Sequence, residues 1–220
     1  MSDAAGRRGR LFVIAAPSGA GKTSLVRALM AREPGLRFSI SYTTRQQRPT
    51  EQHGRDYFFV GKDEFEQMVA HGEFLEHARV FDNYYGTARR QVEEALSAGQ
   101  DLILEIDWQG AAQIRAALPE CISIFILPPS RPELERRLRG RGTDSEEVIQ
   151  RRLRDAASDM THWREFDHVV VNDNFAAALG QLQDVVAGRG GATLKDRAGL
   201  AELAAALTGE RGQGTGDRGQ

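Results

Sequence analysis

The sequence predicts an α/β fold with a doubly wound parallel sheet at its centre. Short apolar runs alternate with segments of helical periodicity, and a glycine-rich loop joins the first run to the first helix. The runs are continuous rather than alternating, which is typical of strands that are buried on both faces of a parallel sheet. With 220 residues, the chain is long enough for one domain that carries an insertion or a lid.

The predicted elements follow from these runs and their stop signals. The first is a strand over 11–15 (LFVIA), and the helix after the loop ends before Pro34 and Gly35. The runs LILEI and ISIFIL predict two further buried strands over 102–106 and 122–127. In chain order, the other predicted elements are a strand-like segment at 57–60, a helix over 62–71, a strand over 74–81, a helix over 91–98, a helix near 133–139, a long helix from about Ser145, a strand over 169–171 and a helix over 175–186.

Composition and charge exclude several classes of protein. Lysine and arginine number 29 against 31 acidic residues, a net charge of -2, so no overall charge draws the chain to nucleic acid or to an anionic membrane. Cys121 is the only cysteine, which excludes an intrachain disulfide, and the five histidines lack metal-ligand spacing. No apolar run approaches the roughly 20 residues that span a bilayer, and no apolar segment like that of a secretory signal follows the N-terminal arginines. We therefore expect a cytoplasmic protein.

The segment AAPSGAGKTS, residues 15–24, differs by one residue from a phosphate-binding loop. That loop has the pattern G-x-x-x-x-G-K-[ST] between a strand and a helix, and its backbone N–H groups surround a nucleotide phosphate. Ala16 stands where the pattern has its first glycine, and an added methyl group is compatible with a position that only opens the turn. Lys22 is expected to contact the β- and γ-phosphates, and Thr23 to offer its hydroxyl to Mg²⁺. The predicted nucleotide contacts in this loop are Ala16, Pro17, Ser18, Gly19, Ala20, Gly21, Lys22 and Thr23.

A second cluster of polar residues lies in SYTTRQQRPTE, residues 41–51, and in DYFF, residues 56–59. Arg45 and Arg48 are three residues apart, and a planar guanidinium suits a phosphate dianion that neighbouring hydroxyl groups also contact. The same residues are equally compatible with a charged hairpin in solvent. The cluster alone leaves both interpretations open.

A third segment supplies a carboxylate beside further hydroxyl groups. Glu76 lies in FLEHA, and Tyr85 and Thr87 lie in NYYGT. The guanine base presents two donors on one edge, N1–H and the 2-amino group, and one carboxylate can accept both, whereas adenine has no such pair. A buried carboxylate without these donors would cost about 1–3 kcal/mol or more, so the segment favours a guanine nucleotide.

Together these segments resemble the guanylate kinase family from about Arg10 to Ala187. The matching motifs, in chain order, are APSGAGKTS, SYTTRQQRP, DYFF, FLEHA, NYYGT, IDWQGA, ILPPS, LRGRGTDSEE and VVVND. The resemblance implies Mg²⁺-assisted transfer of the γ-phosphoryl group of ATP to GMP, and to dGMP, in purine nucleotide metabolism. It also implies a P-loop NTPase-type sheet core with an inserted GMP-binding region and a small helical lid that carries arginines.

The resemblance implies a role for each matching residue. The implied catalytic residues are Lys22, Arg48, Arg141 and Arg152, and the implied metal ligands are Thr23 and Asp107. Asn172 and Asp173 join the loop residues 16–23 as ATP contacts. The implied GMP contacts are Ser41, Arg45, Arg48, Glu51, Tyr57, Glu76, Tyr85, Gly86, Thr87 and Asp107. Gln47, Glu105 and Asn174 depart from the family's common pattern, and none of them removes a group that the chemistry requires.

The implied domain organisation is a flexible N-terminus over 1–9, a guanylate kinase-like domain over 10–187 and a glycine-rich tail over 188–220. Within the domain, we expect a core over 10–37 and 88–187, a GMP-binding insertion at about 38–87 and a lid at about 137–152. The tail predicts one amphipathic helix with Leu194, Leu200, Leu203 and Leu207, followed by a disordered end.

Two other functions are compatible with parts of this sequence. One is a non-catalytic guanylate-kinase-like module that binds phosphopeptides or proteins, and the other is a related kinase of another phosphorylated acceptor, such as a ribose phosphate. Lys22, Asp107 and Arg152 argue against the module, because a binding module does not need a phosphoryl donor site. The expected partners are ATP and GMP, with no nucleic acid and no membrane, and the oligomeric state stays open.

Overall fold

The computed structural model of the protein describes residues 7–80, 82–140 and 145–209, and these residues form two compact units. Apart from the gaps just given, the first unit comprises 7–15 and 26–124, and the second comprises 16–25 and 125–209. The predicted catalytic residue Arg141 and the predicted disordered end from 210 onwards lie outside the described residues. The chain thus visits the second unit briefly at 16–25 and returns to it after residue 124.

The described residues form nine strands and eight α-helices. The strands are β1 (Leu11–Ala15), β2 (Leu36–Phe38), β3 (Tyr42–Thr43), β4 (Phe58–Phe59), β5 (Phe74–Val80), β6 (Asn83–Ala88), β7 (Asp101–Glu105), β8 (Ile122–Leu127) and β9 (His168–Val171). The helices are α1 (Lys22–Arg32), α2 (Lys62–Ala70), α3 (Arg89–Ser97), α4 (Trp108–Ala117), α5 (Arg131–Arg139), α6 (Glu146–Met160), α7 (Phe175–Val186) and α8 (Leu200–Thr208). Two short 3₁₀ helices cover Thr161–Glu165 and Gly190–Thr193.

A parallel sheet lies at the centre of the first unit. The strands of this sheet lie in the order β2, β7, β1 and then the start of β8. Leu11 of β1 lies opposite Leu102 of β7. Every residue of β1 is buried, as its continuous apolar run predicts. In the second unit, the end of β8 lies beside β9. The prediction of an α/β fold with a parallel sheet is confirmed.

A second, four-stranded sheet belongs to the first unit and carries several of the predicted GMP contacts. Its order is β4–β3–β6–β5, and β6 pairs antiparallel with both β3 and β5. Helix α2 covers this sheet through Phe65, whose ring stacks on Phe74 at 4.6 Å and on Tyr84 at 5.5 Å. In the β5–β6 register, Glu76 lies opposite Thr87. Opposed residues on antiparallel strands have neighbouring side chains, so the register brings two predicted base contacts together.

Most predicted elements agree with the structure to within two residues. Helix α4 was not predicted, because the residues that it buries include Gly110 and Ala111, which give little hydrophobic periodicity beside Ile114. The short strands β2 and β3 and the strand β6 were also missed, since the sequence shows polar motifs there rather than apolar runs. These missed elements position the predicted site residues.

The C-terminal segment is part of the second unit and contributes to its core. Leu200, Ala204 and Leu207 of α8 are buried. Leu194 was predicted to share this helix, but it lies before α8 and is exposed. Gly199, with a left-handed φ of 78°, immediately precedes the first residue of α8 and breaks the helical continuity with Leu194. Within the described residues, no helix is both long enough and apolar enough to cross a membrane.

Candidate active site

The glycine-rich loop lies between β1 and α1 and belongs to the second unit. Gly19 and Gly21 adopt left-handed backbone conformations, with φ values of 87° and 92°. An alanine at either position would be strained, whereas Ala16 stands outside these two positions. The glycines that the loop conformation requires are therefore present, and the departure at Ala16 falls elsewhere.

Helix α5 packs directly against this loop. A Cβ atom at Gly19 would lie 2.9 Å from Leu134 Cδ1 and 3.0 Å from Leu138 Cδ2, so glycine is needed for space as well as for φ. Both leucines are buried on α5. Ser130 accepts the Glu133 N–H at 3.3 Å and caps the start of α5. The loop therefore rests on a capped helix with an apolar face.

The Ala20 carbonyl of the loop accepts hydrogen bonds from two side chains. It accepts a hydrogen bond from Asn172 Nδ2 at 2.8 Å and a longer one from Arg137 Nη1 at 3.4 Å. Asn172 lies just after β9, where its N–H donates to the Leu127 carbonyl at 2.8 Å. Asn172 was predicted as an ATP contact, and in this structure its side chain contacts the loop backbone.

The other predicted donor-side residues lie on helices or just beyond a strand. Lys22 and Thr23 are the first two residues of α1, with Lys22 half-buried and Thr23 exposed. Arg152 is half-buried on α6, and Asp173 is exposed after β9. Backbone N–H groups at a helix start carry a partial positive charge, which favours anions at this end of α1.

The predicted phosphate-binding arginines of the first unit share one carboxylate. Arg45 Nη2 donates to Glu51 Oε1 at 2.8 Å, and the Arg48 N–H donates to Glu51 Oε2 at 2.9 Å. These two hydrogen bonds and the charge of Arg45 hold the pKa of Glu51 below its ordinary value. The side chain of Arg48 is 69% exposed, whereas that of Arg45 is 17% exposed. Glu51 thus orients Arg45 and the Arg48 backbone and leaves the Arg48 guanidinium in solvent.

Two tyrosines lie beside Arg45. The Arg45 guanidinium carbon is 5.4 Å from the ring centre of Tyr57, and the Tyr57 and Tyr85 rings are 6.0 Å apart. Burial raises the pKa of Tyr57, and the neighbouring Tyr85 and Glu105 add to this effect while Arg45 opposes it. Both groups that add to the shift favour the neutral phenol, which can donate to a phosphate oxygen.

Glu76 is the buried carboxylate of this unit, with 4% of its surface exposed. Its Oε1 accepts a hydrogen bond from Thr87 Oγ1 at 2.6 Å. Burial raises the pKa of Glu76 to about 7, the Thr87 hydrogen bond opposes the rise, and the charge of Asp107 adds to it. Ionisation of the buried Glu76 is therefore costly and is favoured by any ligand that donates hydrogen bonds to it.

Asp107 begins helix α4 next to Glu76. Its Oδ1 accepts the Gly110 N–H at 2.7 Å and caps the helix. A Cβ atom at Gly110 would lie 2.8 Å from Glu76 Oε2 and 3.3 Å from Asp107 Oδ1. Only glycine at this position lets the helix start approach both carboxylates without displacing them.

Comparison with known proteins identifies the family of the chain. The guanylate kinase family model matches residues 8–189. The chain belongs to the guanylate kinase family. It is 60% identical over 179 residues to the guanylate kinase of Methylococcus capsulatus, covering 81% of this chain and 88% of that protein. It is 54% identical over 181 residues to the guanylate kinase of Escherichia coli K12, covering 81% of this chain and 87% of that protein.

A solved structure of the same family is also similar. The crystal structure of guanylate kinase from Anaplasma phagocytophilum gives a TM-score of 0.68 at 31% identity, covering 91% of this chain and 95% of that one. The predicted guanylate kinase resemblance and the predicted fold class are thereby confirmed.

Two of the three departures from the guanylate kinase pattern, Gln47 and Asn174, make local hydrogen bonds. Gln47 Nε2 donates to the Glu51 carbonyl at 2.6 Å and closes the turn over 47–51. Asn174 Oδ1 accepts the Ala177 N–H at 3.0 Å and caps α7. Glu105 acts electrostatically on Tyr57, as described above.

The structure brings the acceptor-side predictions together and adds residues that the sequence did not reveal. Ser41 is half-buried and its carbonyl accepts the Phe58 N–H at 2.9 Å, and Gly86 is buried opposite Tyr42. Gly110 and Arg137 were not predicted as functional, although Gly110 lies within the motif IDWQGA and Arg137 immediately precedes LRGRGTDSEE. Their roles depend on backbone contacts, for which the sequence gives no signal beyond those motifs.

Proposed function

We propose that this chain transfers the γ-phosphoryl group of ATP to GMP and yields ADP and GDP. Membership of the guanylate kinase family, over residues 8–189, supports an ATP:GMP phosphotransferase. The structural observation that carries the proposal is the buried carboxylate of Glu76, which has its hydroxyl partner Thr87 at 2.6 Å.

Recognition of the base follows from the donors of guanine. The N1–H and 2-amino groups would donate to the Glu76 carboxylate, which Thr87 orients, and the Ser41 hydroxyl would donate to O6. Adenine lacks the donor pair and would leave the buried Glu76 carboxylate with only the Thr87 hydrogen bond, which costs about 1–3 kcal/mol or more. The proposal includes dGMP, because no residue identified for the base or the phosphate depends on the 2′-hydroxyl.

Recognition of the GMP phosphate is assigned to Arg45, Arg48, Tyr57 and Tyr85. The exposed guanidinium of Arg48 is available to close on a dianion, and Arg45 is already oriented by Glu51. Charge-assisted hydrogen bonds from guanidinium groups to phosphate are about twice as strong as neutral ones. Glu51 acts in this proposal as an orienting group rather than as a phosphate contact.

The loop 16–23 is assigned to the phosphates of ATP, with Lys22 on the β- and γ-phosphates. Mg²⁺ takes one or two protein ligands and completes its octahedron with phosphate oxygens and water. The exposed hydroxyl-bearing residue Thr23 at the start of α1 fits this requirement, and Asp107 offers a carboxylate on the acceptor side. When bound, Mg²⁺ would neutralise part of the charge on the transferred phosphoryl group.

The reaction requires alignment and charge neutralisation more than covalent catalysis. An oxygen of the GMP phosphate forms the new bond to the γ-phosphorus, while the bond between that phosphorus and the β–γ bridging oxygen breaks and leaves ADP. Lys22 and Arg152 are proposed to stabilise the charge that spreads over the transferred oxygens, together with Arg141, which lies outside the described residues. We extend the proposal to purine nucleotide metabolism in the cytoplasm.

The test is a comparison of acceptors with ATP and Mg²⁺ present. GMP, dGMP, AMP, CMP, UMP and ribose 1,5-bisphosphate would be assayed by ADP release, with Lys22→Ala as the matched inactive variant. Turnover of GMP and dGMP alone, lost in Lys22→Ala, is the expected result. Turnover of ribose 1,5-bisphosphate, or GMP binding without turnover, would replace the proposal by one of the two other functions considered from the sequence.

A further inference from the structure

The Asn172 side chain is buried against the phosphate-binding loop, with 5% of the residue exposed. Its Nδ2 donates to the carbonyl of Ala20, a residue that is 152 positions away in the sequence. A Cβ atom at Gly21 would collide with the same Nδ2, so the amide group also lies against the backbone that follows the hydrogen bond. Asn172 therefore contacts both residues of the Ala20–Gly21 peptide.

Arg137 supports this arrangement from helix α5. Its Nη1 lies 3.4 Å from the Ala20 carbonyl, its Nη2 donates to the Asn172 carbonyl at 2.9 Å, and its Nε donates to Glu133 Oε1 at 2.7 Å. The guanidinium is thus anchored on its own helix and reaches both members of the Asn172–Ala20 pair. Asn172 and Arg137 therefore fix the direction of the Ala20 carbonyl, and each of these donors is held by a further hydrogen bond of its own.

Fixing this carbonyl also fixes the next N–H group. The atoms of a trans peptide lie in one plane, with the C=O and the following N–H pointing in opposite directions. The described residues contain no cis peptide bond. Throughout 7–80, 82–140 and 145–209, no backbone carbonyl accepts a hydrogen bond from the Gly21 N–H. The Gly21 N–H is therefore directed away from Asn172 and is available to an anion.

We propose that Asn172 is a positioning residue of the phosphate-binding loop, whose hydrogen bond to Ala20 turns the Gly21 N–H toward a bound polyphosphate. The inference rests on the proposed function only for the identity of that polyphosphate as part of ATP. It assigns the side chain of Asn172 to the loop and not to the base. Loss of this side chain should weaken every polyphosphate ligand equally, whatever base the ligand carries.

The experiment compares ADP with inorganic tripolyphosphate, which has no base. Dissociation constants of both ligands and of GMP would be measured by calorimetry for the full chain and for Asn172→Ala. One lost hydrogen bond at this position should weaken ADP and tripolyphosphate by the same factor, about tenfold, and leave GMP unchanged. Asn174→Ala is the matched control, because it removes the cap of α7 from the same segment without touching the loop.

A second readout follows the amide that the proposal concerns. In the unsubstituted chain, tripolyphosphate should move the Gly21 amide proton resonance downfield, and in Asn172→Ala this shift should shrink. If Asn172→Ala does not fold, Arg137→Ala removes the second donor and should weaken both ligands about threefold.

Three results for Asn172→Ala would overturn the inference. Weaker binding of ADP with unchanged binding of tripolyphosphate would make Asn172 a base contact. Unchanged binding of both ligands, or an unchanged response of the Gly21 amide resonance to tripolyphosphate, would remove the proposed positioning role. A chain that binds tripolyphosphate but does not phosphorylate GMP would reject the proposed function and leave this inference standing.

Discussion

Thr87 donates its hydroxyl hydrogen to Glu76 across the β5–β6 pair, and both side chains are almost completely buried. This single hydrogen bond is the only one that a side chain gives to the Glu76 carboxylate among the described residues. It stabilises the ionised form of a carboxyl whose pKa burial nevertheless raises to about 7. Near pH 7, the neutral and charged forms of Glu76 are thus close to balance.

Binding of the base should therefore depend on pH. Guanosine is the suitable ligand, because a phosphate monoester itself titrates near pH 6. The two guanine donors require ionised Glu76, so guanosine should bind about tenfold more weakly at pH 6 than at pH 8. Fluorescence or calorimetric titration at fixed ionic strength gives the profile. Glu76→Gln should bind weakly with no such slope, and a level profile for the unsubstituted chain would contradict the prediction.

The free energy of unfolding should also depend on the titration of Glu76, and it should change with pH in the opposite direction to guanosine binding. The pKa of Glu76 is raised in the folded chain from 4.5 to about 7, so the folded state binds the extra proton between these values. The free energy of unfolding should then fall as pH rises from 4.5 through 7, by on the order of 3 kcal/mol relative to Glu76→Gln. Urea unfolding of both chains at pH 4.5, 6 and 8 measures the difference. Parallel stability curves would show that the carboxyl is not buried as described.

Glu51 should affect the phosphate of GMP and not its base. Glu51→Ala removes the acceptor that orients Arg45 and the Arg48 N–H. The KM for GMP should rise about tenfold, while the affinity for guanosine stays within a factor of two. Glu66→Ala is the control, since it removes an exposed carboxylate that lies 3.6 Å from Lys62 on α2. Equal loss of guanosine and GMP would instead assign Glu51 to the folding of the whole acceptor side.

A side chain at position 110 should impair GMP binding, because it would displace the Glu76 carboxylate. Gly110→Ala places a Cβ atom 2.8 Å from Glu76 Oε2, so GMP affinity should fall at least tenfold by displacement of the carboxylate. Gly180→Ala on α7 is the matched substitution, because nothing lies within 4 Å of its Cβ position. That control should gain about 0.5–1 kcal/mol of stability and keep full activity. Normal GMP binding by Gly110→Ala would refute the close approach of α4.

The alanine at position 16, where the loop pattern has its first glycine, should have little effect on ATP binding. Ala16→Gly should change the KM for ATP by less than about twofold, because the left-handed conformations belong to Gly19 and Gly21. Gly19→Ala should abolish ATP binding, since it adds backbone strain of roughly 1–2 kcal/mol and a Cβ atom 2.9 Å from Leu134. Steady-state kinetics with varied ATP compares the three chains. A large gain for Ala16→Gly would mean that the natural loop is impaired.

The sequence predicted those features that are recognisable from particular residue types at a fixed spacing. The loop, the arginine pair and the carboxylate with its hydroxyl partner could all be found this way, as could the buried strands β1, β7 and β8. What it could not show were roles that depend on backbone approach. Gly110 matters through the space beside Glu76, and Arg137 through a carbonyl that is 117 positions away. Spacing along the chain contains no information about such pairs.

The supports of the phosphate-binding loop are also late in the order of synthesis. Ala20 leaves the ribosome long before Leu134, Arg137 and Asn172, the last of which is 152 residues behind it. Until those residues emerge, the Ala20–Gly21 peptide lacks the side-chain contacts that fix the Ala20 carbonyl. Contacts of such long sequence separation form slowly, because a large loop must close first. A nascent chain should therefore acquire its ATP site only after Asn172 has been synthesised.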